Sequence, residues 1–132
     1  MQVKKLKPAL RENILYCRAM QDILPLLLEA AKTHGISIAE LEALRDPAMR
    51  DLLEDMPSVK LDIHLHRQWA KNQNLPAKLN EAYDIAYVGS AAMYCDVVVT
   101  ENQLADLLRR DEFKCRAQIL TDLRELPRLL GT

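Results

Sequence analysis

Apolar residues at the start of the chain recur at helical spacing. Leu10, Ile14, Leu15, Met20, Ile23, Leu26, Leu27 and Ala30 fall mostly three or four apart, which predicts a helix over 8–33. Pro8 suits its first turn and His34-Gly35 its stop, while Pro25 predicts a kink or a split into two. Ser37 with Glu40 forms a capping box for a short helix over 38–44. Asp46-Pro47 offers a capping carboxylate and a first-turn proline to a helix over 48–54.

The pattern over 57–72 supports two readings. Val59, Leu61, Ile63 and Leu65 alternate with Lys60, Asp62, His64 and His66, as in a half-buried strand. Ser58 as a cap, with Val59, Ile63 and Gln68-Trp69 beyond it, favours a helix instead, and the helix is preferred. A polar loop over 71–77 follows, then a helix over 81–92 capped by Asn80. Val97-Val98-Val99 is the clearest strand, being short, β-branched and bounded by polar residues. Leu104, Leu107 and Leu108 line one face of a helix over 103–110. Gln118-Ile119-Leu120 is a second short strand, and Thr121 or Asp122 caps a last helix holding Leu123, Leu126 and Leu130. Helix, strand, helix, strand, helix after residue 78 implies a parallel sheet with right-handed crossovers. The expected fold class is therefore helix-rich α/β, a short parallel sheet flanked by helices. Two short strands are too few for a stable sheet by themselves.

Composition adds bounds. At 132 residues the chain is expected to form one domain, helical over 1–55 and mixed over 56–132. Three glycines against six prolines fit helices bounded by proline rather than a turn-rich β protein. A net charge of −1 excludes the overall basic field of a protein built to coat nucleic acid. Cys17, Cys95 and Cys115 are odd in number, widely spaced and without a Cys-x-x-Cys, which suits a reducing cytoplasm. The charged start, Met1 to Lys7, leads into no signal-peptide pattern, and the longest apolar run, 23–28, is too short to cross a bilayer. No membrane partner is expected.

The candidate chemistry lies between residues 83 and 102. Asp84 falls near a helix start and Glu101 just beyond a strand end, positions that share one edge of an open parallel sheet, where α/β folds bind ligands. Two carboxylates gathered there repel each other unless a cation lies between them, and hard divalent ions take such oxygen ligands. Asp96 precedes the strand, at the opposite edge, which favours a turn or capping role. His64 and His66 lack third and fourth ligands at zinc spacing and read as solvent-facing or lightly packed. His64, Arg67 and Lys71 share one helix face, either solvated or suited to touch phosphate. Cys95 reads as a buried apolar filler and Trp69 as a core or interface anchor. A DNA-binding role for 36–55 is disfavoured by Glu40, Glu42, Asp51, Glu54 and Asp55, the wrong sign for a phosphate backbone.

Asp84-Ile-Ala-Tyr-Val-Gly-Ser-Ala-Ala, followed by Tyr94-Cys-Asp-Val-Val-Val-Thr-Glu, resembles the C-terminal half of PIN-like domains, in particular bacterial ones. Leu120-Thr-Asp-Leu-Arg-Glu-Leu-Pro127 and Met56-Pro-Ser-Val-Lys-Leu-Asp-Ile-His-Leu extend the resemblance over roughly residues 56–130. It implies a PIN-like fold and a metal-dependent ribonuclease, many such proteins being toxins of toxin–antitoxin pairs. Acidic residues would hold Mg²⁺ or Mn²⁺: Asp62 as the middle acid, Asp84 as the acid opening the next helix, and Glu101 in place of the last acid, whose usual position holds Asn102. Asp96, inside the same motif, completes the candidate ligand set. RNA is the implied substrate, with a protein inhibitor or a second copy as the implied partner. The family opens on a strand ending in an essential Asp, and no such strand precedes Leu10. The expectation is a PIN-like domain without its first strand, whether truncated, a fragment or a decayed copy.

Overall fold

The computed structural model describes residues 5–44, 46–71 and 79–131, and of 79–85 the backbone only. Its contacts divide the chain into two units, Met1–Ile63 and His64–Thr132.

The first unit is helical. α1 (Pro8–Thr33) runs across Pro25 as one helix, so of the expected kink or split the split does not occur. A proline at that position removes one backbone hydrogen bond and costs about 3 kcal/mol. Leu15 and Ala19 before it and Ala31 after it are all buried, and this packing keeps the helix in one piece. Gly35, at φ 71, closes it in the left-handed conformation that glycine adopts freely, while the Ile36 amide donates to the Ala31 carbonyl at 2.8 Å. α2 (Ile38–Glu42) carries the predicted capping box: the Glu40 amide donates to Ser37 Oγ and the Ser37 amide to Glu40 Oε2. α3 (Asp46–Asp55) takes Asp46 and Pro47 into its first turn.

α1 packs on α3 around Ala19, Leu53 and Ile63, with Tyr16, Met20, Ile23 and Val59 against them. Tyr16 donates its hydroxyl proton to Glu54 Oε1 at 2.5 Å, and the Arg50 guanidinium lies 4.5 Å from the centre of the Tyr16 ring while bonding Asn13. Val59 and Ile63 come from α4 (Pro57–Lys71), so the ambiguous segment is a helix. Its alternating apolar residues look strand-like because Leu61, Ile63, His64 and Leu65 are all buried, which takes more than one helix face.

The second unit holds the rest of α4 and then α5 (Leu79–Tyr94), β1 (Val97–Val99), α6 (Asn102–Arg109), β2 (Gln118–Leu120) and α7 (Leu126–Leu129). β1 and β2 pair in parallel, Val97 with Gln118, Val98 with Ile119 and Val99 with Leu120. The molecule is thus helix-rich α/β with a short parallel sheet flanked by helices, as its pattern predicts. Strands of three residues have little stability of their own. α5 packs against β1, the Ala117 amide donates to the Ala92 carbonyl at 2.9 Å, and Val98 and Ile119 are buried. Leu104, Ala105 and Leu108 form the buried stripe of α6. The expected last helix is instead a 3₁₀ turn, Leu123–Glu125, leading into α7. Asp122, one of the two expected caps, serves that turn rather than a longer helix, accepting from the Arg124 amide at 2.9 Å, and Leu123 and Leu130 are exposed.

Candidate functional site

The edge of interest is where β1 and β2 end. The ladder runs one step past the strands, the Thr100 amide donating to the Leu120 carbonyl at 2.9 Å, so Glu101 and Asp122 leave neighbouring strands at the same end. Glu101 sits at the N-cap of α6 in extended conformation (φ −67°, ψ 157°); its exposed carboxylate makes no capping bond. Asp122 is engaged differently. Arg124 grips it through Nε at 2.9 and 3.0 Å and through a second guanidinium nitrogen at 2.7 Å, which holds its carboxyl below the ordinary range.

Asp84 belongs to α5; its side chain lies outside the described residues. Residues 95 and 96 join α5 to β1, and the two elements pack together. Ten helical residues separate Asp84 from Tyr94, roughly 15 Å at about 1.5 Å each. Five extended residues separate Asp96 from Glu101, roughly 16 Å at about 3.3 Å each. Asp84 along α5 and Glu101 along β1 thus stand about equally far, by these ideal rises, from the turn that joins the two elements. The same arithmetic puts Asp96 at the far end of β1, where it is exposed and paired with Arg116 at 3.3 Å. Asp62 is part-buried on α4, within the first unit, whereas Asp84, Asp96 and Glu101 belong to the second. Among the described residues, no three His, Cys, Asp or Glu side chains gather closely enough to hold a metal ion. The donors at the strand ends are hard carboxylate oxygens, the type Mg²⁺ and Mn²⁺ take, and Glu101 is the exposed one.

A second cluster lies within the same unit and was not foreseen. His64 is 2% exposed rather than solvent-facing. Its Nε2 faces the Leu107 carbonyl at 2.9 Å; a carbonyl only accepts, so Nε2 carries the proton. Its ring stacks on Phe113 with centroids 4.1 Å apart. Gln68, also buried, donates to Asp111 Oδ2 at 2.5 Å, and Lys71 donates to the same oxygen at 2.9 Å. His64, Gln68 and Lys71, spaced four and three apart, thus hold the chain where it leaves α6. That exit is strained, since Asp111 and Glu112 take φ of 52° and 56°, which non-glycine residues rarely adopt. Burial pushes the His64 imidazole below its usual pKa against the opposing pull of the Leu107 carbonyl, and Lys71 and Gln68 hold the Asp111 carboxyl low. The His64, Arg67 and Lys71 face expected to be solvated or to touch phosphate is, at His64 and Lys71, used to hold this turn. Cys95 is exposed, not a buried filler, and burial raises the pKa of Cys115 instead.

Comparison with protein-family models, with curated proteins and with solved structures finds no match. Among the described residues, no helix is long and apolar enough to cross a membrane.

Proposed function

We propose that this chain is a metal-dependent endoribonuclease of PIN type that hydrolyses RNA phosphodiesters. One observation carries the reading: Glu101 stands exposed just past the ends of two parallel strands, and paths of about equal length along α5 and β1 separate Asp84 and Glu101 from the turn joining these elements. The sequence motif around both residues supports it. Asp84 and Glu101 would hold Mg²⁺ or Mn²⁺; Asp96, at the other end of β1 and paired with Arg116, is too far from Glu101 to share the ion. Such an ion, when bound, activates water and neutralises the charge that builds on a cleaved phosphodiester. The carboxylates of the chain fix its place and accept hydrogen bonds from its hydration shell. A cytoplasmic setting is part of the proposal, supported by the free thiols of Cys17, Cys95 and Cys115.

A second reading, a non-catalytic PIN-like protein that binds a partner or a second copy, is favoured by the sheet. Among the described residues, β1 and β2 pair only with each other, and an unpaired strand edge is a template for association. RNA cleavage with Mn²⁺ separates the two. The nuclease reading expects cleavage that falls roughly 10²-fold in both Asp84→Asn and Glu101→Gln. Equal rates in all three chains remove these acids from catalysis. A chain that cleaves nothing and elutes as a stable dimer supports the second reading.

A further inference from the structure

We draw no further inference here: the strongest candidate, the open groove between α1 and α3 lined by Tyr16, Met20, Met49, Arg50 and Leu53, is an unpartnered face, and nothing in the structure shows what covers it.

Discussion

Replacing His64 tests how the second unit is held together, and the structure gives the size of the effect. The side chain is almost fully buried, donates one hydrogen bond to the Leu107 carbonyl and stacks on Phe113. Loss of the stack costs about 0.5–1.5 kcal/mol. Leaving the carbonyl without its donor costs about 1–3 kcal/mol more. His64→Ala should therefore destabilise the unit by about 1.5–4.5 kcal/mol, and His64→Phe, which keeps a ring, by the hydrogen-bond part alone. The pH dependence follows from the same burial. The folded imidazole has a depressed pKa, while the unfolded one titrates near 6.5. Below that pH the unfolded chain takes up a proton that the folded chain resists. Stability is then full above about pH 7 and falls as pH drops through 6.5, by at most about 1.4 kcal/mol per pH unit, until the folded value is reached. Asp111 and Asp122, with carboxyls held low, lose their contributions only at more acid pH, so the windows separate. Trp69 is the single tryptophan and lies in the same unit, so its fluorescence in urea titrations between pH 5 and 8 reads the transition. An unchanged pH slope in His64→Phe, or a cost below about 1 kcal/mol for His64→Ala, refutes the reasoning.

Two further predictions concern stability, both read by urea denaturation. Leu53→Ala should cost the first unit about 2–5 kcal/mol, because Leu53 is 1% exposed at the centre of its core; circular dichroism at 222 nm follows the loss. Glu112→Gly should stabilise the second unit by up to about 1 kcal/mol, because glycine takes φ of 56° without strain, and a raised midpoint in Trp69 fluorescence checks it.

Local chemistry made much of this fold readable. Val97-Val98-Val99 announces a strand by β-branching, Ser37 and Glu40 announce a helix start by reciprocal capping, and Thr121-Asp122 announces a cap; each signal acts within a few residues. Long-range packing was not readable. Nothing near His64 indicates that Phe113 and Asp111, more than forty residues away, will cover it and its neighbour Gln68. The strand-like alternation over 59–65 misleads because α4 buries residues on more than one face. Pro25 failed to split α1 because buried residues on either side outweigh one lost hydrogen bond. Of the candidate site, strand order suffices to set Glu101 past the end of β1 and Asp96 before its start. The partner of Asp122, by contrast, emerged only with the Arg124 side chain in view.

The most direct measurement of the central claim is Mn²⁺ titration of the ¹⁵N-labelled protein, followed by paramagnetic broadening of its amide signals. At substoichiometric Mn²⁺, the account predicts selective loss of the signals of Asp84 and of Thr100 to Asn102, abolished in the Asp84→Asn, Glu101→Gln double variant. Signals at those positions that stay sharp at millimolar Mn²⁺, or that broaden equally in the double variant, contradict it.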